Sequence, residues 1–394
     1  MVIWNLIFGI SFMVICSYII AKACDLFEAS TEYLGRNMED GIKGATLNAI
    51  GSSIPEFLTT VFFLVFATSQ NLGRDFAASV GGDTGSAIFN TIAIPGLVLL
   101  VTFFVIKGVS KVKISKKVIL RDGLFLIGAE ILLLILLSSD YLTHWHGWVF
   151  TGFYAIYLAY LIYSHKKARS KSSKEESLFE PNAWYEKFIH SKRDGRGKRA
   201  TWLLILAVVI LSLCAAGLVE GTKIDSTSIG INPIFIALIL VAAATSVPDL
   251  IISLKDAKKG NYDDSVSNVV GSNIFDITIS MGLPLAIYLL ITGKTINFVE
   301  HGSNLIDIRI FLLLITVIVL GIYYFAKSLK KKHVFILLFI YILFIIYSIG
   351  AAQYNAGINS VISNLAGFFI EWIRQPGGIE EILKHFGNVL TGNW

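Results

Sequence analysis

Apolar stretches of membrane-spanning length recur along this 394-residue chain, near residues 3 to 21, 44 to 68, 76 to 105, 119 to 138, 146 to 164, 201 to 220, 230 to 254, 265 to 292, 310 to 326 and 333 to 350. A hydrocarbon core about 30 Å thick takes about twenty such residues in a helix. Lipid offers no partner to an open backbone, so only helices and closed barrels span it, and these runs lack the alternation of a barrel strand. The ten stretches predict an all-α integral membrane protein of ten transmembrane helices. Only 15% of the residues are charged, against about a quarter in soluble domains, and nothing predicts an enzyme. The first apolar run has no basic leader and no small-residue cleavage pattern, so it is expected to be retained. Cys16, Cys24 and Cys214 lie in or beside apolar spans and show neither metal-ligand spacing nor a disulfide framework.

Residues 165–200 form the longest polar stretch and carry eleven lysines and arginines, from Lys166 to Arg199. Basic residues collect in cytoplasmic loops, which predicts that this loop is cytoplasmic and accounts for the net charge of +5 without invoking nucleic acid. The connections expected on the same side, Lys107 to Lys117, Lys255 to Lys259 and Lys327 to Lys332, are basic too. Both termini are then expected outside the cytoplasm. The connection from Asp25 to Lys43 is mixed and fairly acidic, which weighs little in orientation. The expected organisation is a first five-helix unit over 1–164, the basic loop over 165–200, a second five-helix unit over 201–350 and an extracytoplasmic tail over 351–394.

The two units repeat a pattern. Gly51-Ser52-Ser53-Ile54-Pro55-Glu56 is echoed by Ala244-Thr245-Ser246-Val247-Pro248-Asp249, and Gly85-Ser86-Ala87-Ile88-Phe89-Asn90 by Gly271-Ser272-Asn273-Ile274-Phe275-Asp276. Five spans per unit is an odd number, so the second unit crosses the membrane in the opposite sense. The result is an inverted repeat with its site expected at the midplane.

Charges inside spans are costly and rare, and five stand out: Glu56, Asp249, Asp276, Asp83 and Glu130. The first three fall on the repeated motifs; Asp83 and Glu130 do not, and a buried structural carboxyl is an equal reading for Glu130. Ser52 and Ser53 precede Glu56 by four and three residues, and Ser86 and Ser272 precede Asn90 and Asp276 by four, offsets that share a helix face. Pro55 and Pro248 deprive the carbonyls of Gly51 and Ala244 of their helical donors, although a plain proline kink is the alternative. Carboxylates, hydroxyls and carbonyls suit a hard cation such as calcium, and the absence of His and Cys beside the motifs argues against zinc, copper or iron. One divalent ion and several monovalent ions competing for such ligands is the physical basis of antiport. Gly81, Gly82, Gly85 and Gly271 are expected to let helices approach closely. His144 and His146, flanking Trp145, read as an interfacial group rather than a metal pair.

These motifs resemble the paired alpha-repeats of the sodium/calcium exchanger superfamily, the cation/calcium antiporters, over residues 42 to 97 and 226 to 290. The resemblance implies a sodium-for-calcium antiporter with no resident cofactor, whose partners are the lipid bilayer and the transported Ca2+ and Na+, with K+ or H+ as further candidates. It implies Glu56 and Asp249 as principal calcium ligands, with Ser52, Ser53, Thr245, Ser246, Ser86 and Ser272 lining sodium sites. Asn90 and Asp276 then sit at the centre, and the carbonyls of Ala49 and Ala242 mark its ends. Asp249, Ala87 and Asp276 lean toward the potassium-dependent branch. Two departures stand out. Glu56 to Asn90 spans seven residues more than Asp249 to Asp276, an excess placed near Ser69 to Asp75. Asn268 precedes the second Gly-Ser pair, where the first half has Gly82 beside Asp83; that acid suits an added ligand, a proton site or a water-filled approach. The competing readings are a proton-coupled calcium or magnesium antiporter on the same fold, a passive cation channel and a non-transporting scaffold. No signal for an oligomeric state is present.

Overall fold

The computed structural model describes residues 2–34, 49–168, 183–191, 196–299, 301, 305–358 and 360–391. Its helices are α1 (Val2–Leu34), α2 (Ala49–Val65), α3 (Leu72–Phe104), α4 (Lys116–Leu136), α5 (His144–Ala168), α6 (Trp184–His190), α7 (Arg196–Ile229), α8 (Pro233–Thr245), α9 (Val247–Lys258), α10 (Tyr262–Thr292), α11 (Ile306–Phe325), α12 (Lys331–Asn355), α13 (Val361–Ile373) and α14 (Ile379–Thr391). Six of these, α1, α3, α7, α10, α11 and α12, are long and apolar enough to cross a membrane, and the pair α8–α9 makes a seventh among the described residues. Helix α2 has 17 residues and α4 holds Arg121, Asp122 and Glu130; with α5, they stand where the second, fourth and fifth spans were expected.

The outer surface is apolar and the polar groups are inside. Phe8, Val14, Leu213, Phe335 and Phe339 are exposed, whereas Glu56, Asp83, Glu130, Asp249 and Asp276 are buried. That inversion suits a lipid solvent, since an exposed apolar surface of this extent marks a membrane or protein contact.

Both long central helices, α3 and α10, change winding in the middle. A π-helical segment runs over Phe89–Ala93 in α3 and over Asp276–Ser280 in α10, so Asn90 and Asp276 both sit where the helix loosens. Wider winding of this kind interrupts the regular backbone ladder and is frequent at functional sites. The two repeated prolines, by contrast, act differently. Pro248 stands at a 41° break between α8 and α9, with Ser246 left non-helical at the junction. Pro55 lies inside an unbroken α2, so only the second motif is a broken helix.

Small residues bring the halves together on one side and not the other. A Cβ on Gly85 would lie 2.0 Å from the Leu238 carbonyl oxygen, and one on Gly81 2.8 Å from that of Ile234, so α3 and α8 pack backbone to backbone. Gly271 has no such role: a Cβ there would meet only the Tyr157 hydroxyl at 4.0 Å.

At one end of the molecule Tyr141–Leu142 (β1) pairs antiparallel with Ile296–Asn297 (β2), and Lys294 donates to Ser69 at 3.2 Å. At the other, basic end Val112 and Leu329 form a backbone bridge that joins two lysine-bearing loops. Helix α1 runs on to Leu34, so Asp25 and Glu28 are helical rather than part of a loop. They meet Lys255 at 3.1 and 3.9 Å, which explains the acidity of that connection: its acids balance the basic end. Five of the eleven basic residues of the 165–200 loop, Arg169, Lys171, Lys174, Lys192 and Arg193, lie outside the described residues. The tail forms two helices, and α14 packs on α4, where a Cβ on Gly387 would lie 2.4 Å from the Ile135 carbonyl oxygen and Lys384 pairs with Asp140 at 3.3 Å.

Candidate cation site

Glu56 of α2, Asp249 of α9 and Asp276 of α10 each present a carboxylate oxygen, and these oxygens all lie within 4.8 Å of one another. Helix α2 aims Glu56 inward because its Ser52 and Ser53 share that buried face. The break at Ser246 turns α9 so that Asp249, near its start, meets them. Asp276 opens the π segment of α10.

The hydroxyls link the two halves crosswise. Ser53 shares a 2.6 Å hydrogen bond with Ser272, and the equivalent Ser246 shares one of 2.7 Å with Ser86. Ser86 also donates to Glu56 at 3.2 Å and to Asp276 at 3.4 Å. Asp249 accepts from Ser272 at 2.8 Å and from the Asn90 amide at 3.0 Å. Ser52 is buried on the same face as Glu56, and the Thr245 hydroxyl donates to the Val241 carbonyl at 3.0 Å. The first half thus donates to both acids of the second, through Ser86 to Asp276 and Asn90 to Asp249, while the Ser53–Ser272 and Ser86–Ser246 pairs form equivalent links between the two halves.

Four acceptor atoms in this cluster, Glu56 Oε2, Asn90 Oδ1, Asp249 Oδ1 and Asp276 Oδ1, are buried without a hydrogen-bond partner. None of the three acids belongs to an ion pair among the described residues. Converging carboxylates without a basic partner repel one another and demand counter-charge. Unsatisfied oxygens at this spacing are the donor set of a hard cation, which takes six to eight of them at about 2.3–2.6 Å.

The sequence-predicted residues do not all belong to this cluster. The Ala242 carbonyl accepts from the Ser246 N–H at 3.1 Å and from the Thr245 hydroxyl at 3.3 Å, at the edge of the site; Ala49 is the first residue of α2. Asp83 is outside the trio and accepts from Thr60 at 3.2 Å. Glu130 accepts from Thr316 of α11 at 2.6 Å, between α4 and α11. His146 takes the Thr143 N–H on Nδ1 at 3.0 Å, a local helix-start contact. Sequence reasoning missed Asn273, which donates to the Ala87 carbonyl at 3.0 Å and to Thr91 at 2.9 Å, pinning α10 to α3. Its signal was the mismatch within the repeat, an amide where the first motif has Ala87. Missed too were Thr60 and Ser79; Thr60 follows Glu56 by four residues and was open to the same face argument.

Comparison with known proteins agrees with this architecture. The family model described as "Sodium/calcium exchanger protein" matches residues 6–163 and 199–350, on either side of the basic loop. A putative antiporter, CaxA, of Alkalimonas amylolytica is 26% identical over 278 residues, covering 69% of this chain and 78% of that protein. The crystal structure of an H+/Ca2+ exchanger, CAX, shares the fold over 98% of this chain and 91% of its own, with a TM-score of 0.66 at 15% identity. The sodium-calcium exchanger NCX_Mj shares it over 86% of this chain and 97% of its own, with a TM-score of 0.52 at 22% identity. With both halves matched and the intervening loop left out, this multi-pass membrane protein belongs to the sodium/calcium exchanger family.

Proposed function

We propose that the protein is a secondary-active antiporter that exchanges Na+ for Ca2+ by alternating access, at a site held between two inverted five-helix repeats with both termini outside the cytoplasm. The observation that carries this is the meeting of Glu56, Asp249 and Asp276 within 4.8 Å, contributed by both halves and surrounded by orphaned oxygens. One Ca2+ offsets two of the three negative charges and several Na+ offset them equally well, so the two loads compete for the same ligands and exclude each other. Ser52, Ser53, Thr245, Ser246, Ser86 and Ser272, neutral oxygen donors on the same motifs as the acids, suit the monovalent ions, which need fewer charged ligands. The name of the relative CaxA, a putative antiporter, supports exchange over passive flow.

The direct test is calcium uptake into proteoliposomes with sodium, proton and potassium gradients imposed separately. Uptake driven by outward sodium supports the proposal; uptake that ignores sodium and follows a pH gradient replaces it with proton exchange. That second reading has one specific support, the third carboxylate, Asp276, since protons discharge a crowded acid cluster as well as sodium does. Uptake that runs down the calcium gradient with no counter-ion indicates a channel.

Asp276 also tests potassium. If K+ is carried, Asp276→Asn is expected to remove the potassium dependence of exchange while sodium-driven uptake persists. A parent protein whose rate never responds to potassium ends the potassium branch.

A further inference from the structure

Helix α3 carries a buried polar stripe that extends beyond the acid cluster toward the end bearing β1 and β2. Asp75, Ser79, Asp83, Ser86 and Asn90 follow one another at steps of four, four, three and four residues, which keeps one helix face, and all five are buried. Ser79 donates to Thr60 at 2.7 Å, and Thr60 donates to Asp83 at 3.2 Å. Thr60 lies one turn beyond Glu56 on α2, just as Asp83 lies one turn before Ser86 on α3. Together they extend the site by one turn of each helix toward that end.

The charges along the stripe are not alike. Asp75 is met by Arg74 and Lys223, each at 3.6 Å. Asp83 is 2% exposed, belongs to no ion pair among the described residues, and has one neutral hydroxyl on a carboxylate that can accept about four hydrogen bonds. An acid so placed in a span is costly unless it serves an ion path. The opposite half does without it. There the equivalent of Thr60 is Ser253, which accepts from the uncharged Asn268 at 3.2 Å, and the equivalent of Asp83 is Val269. The two approaches to the centre are matched in hydroxyls, and once Asp75 is set against its two cations they differ in one uncompensated carboxylate, Asp83.

We infer that Asp83, Thr60 and Ser79 form a second cation site, on the approach from the end that bears β1 and β2, where a partly hydrated Na+ or Ca2+ halts before it reaches Glu56. This rests on the antiporter reading. One carboxylate and two hydroxyls leave several positions of a hard cation's shell to water, so the site is weaker than the centre. Its single charge raises the local ion concentration on one face of the membrane only.

Calcium exchange is measured from each face separately, in right-side-out and inside-out vesicles, for the parent, Asp83→Asn, Asp83→Glu and Thr60→Val, each first shown to be monodisperse. The inference expects Asp83→Asn to raise the apparent KM for calcium about tenfold at one face, to leave the other face within about twofold, and to be rescued by Asp83→Glu. Equal shifts at both faces, or none, overturn it, as does loss of proton drive alone, which would make Asp83 a proton carrier. A parent without exchange brings down the antiporter reading instead. Calcium titration of the purified protein then decides: a weaker second binding phase that Asp83→Asn abolishes supports the site, and an isotherm unchanged by Asp83→Asn overturns it.

Discussion

Glu56→Ala and Asp249→Ala are each expected to abolish calcium exchange, with a fall of about 100-fold or more, while the protein still purifies as a folded species. A carboxylate about 2.4 Å from a divalent ion attracts it by on the order of 10 kcal/mol at an effective dielectric of about 20. Most of that is offset by dehydration of both partners, and a net loss of about 3 kcal/mol already gives a 100-fold drop in affinity. The fold should tolerate the change because each substitution removes a charge that has no basic partner and relieves repulsion within the trio. Binding isotherms and vesicle uptake check the expectation, with normal transport by either variant counting decisively against the site. A useful contrast is Glu130→Gln. Glu130 bonds Thr316 between α4 and α11, apart from the trio, so its loss is expected to act on stability before transport.

The other large effect concerns assembly. Gly85→Ala would place a methyl group 2.0 Å from the Leu238 carbonyl oxygen and 2.8 Å from the Ala242 Cβ. Both obstacles belong to the α8 backbone region and neither is a flexible side-chain end. Helices α3 and α8 must therefore separate, at about 3 kcal/mol or more, the upper range of overpacking. The same separation would pull Ser86 from Ser246 and misplace the broken helix that carries Asp249. Gly271→Ala is the control, because its new methyl finds only the Tyr157 hydroxyl at 4.0 Å. Thermal unfolding monitored by size exclusion should show a large drop for the first and little for the second; equal tolerance of both would mean that the α3–α8 contact does not limit stability.

The seven-residue excess of the first half shows how far sequence reasoning carries. It was placed near Ser69 to Asp75, and the structure divides it. Six residues separate α2 from α3, against three between α9 and α10, and the remaining excess adds a first turn to α3. That turn holds Asp75, which pairs with Lys223 of α7. Spacing alone located the insertion but not its conformation, since a loop and an added helical turn count residues identically.

The sequence by itself determined the membrane-spanning class, the two-fold repetition and the identity of the acids, because hydropathy and motif spacing are local properties that lipid and helix periodicity enforce. It did not distinguish Pro55 inside a continuous helix from Pro248 at a break, nor Gly85 in tight contact from Gly271 in open space. Those outcomes depend on what lies across the interface, and equivalent residues in the two halves face different neighbours. The crosswise pairing of Ser53 with Ser272 and Ser86 with Ser246 was likewise decided only in three dimensions: a hydroxyl's partner is fixed by where two helices cross, and no spacing along one helix encodes that crossing.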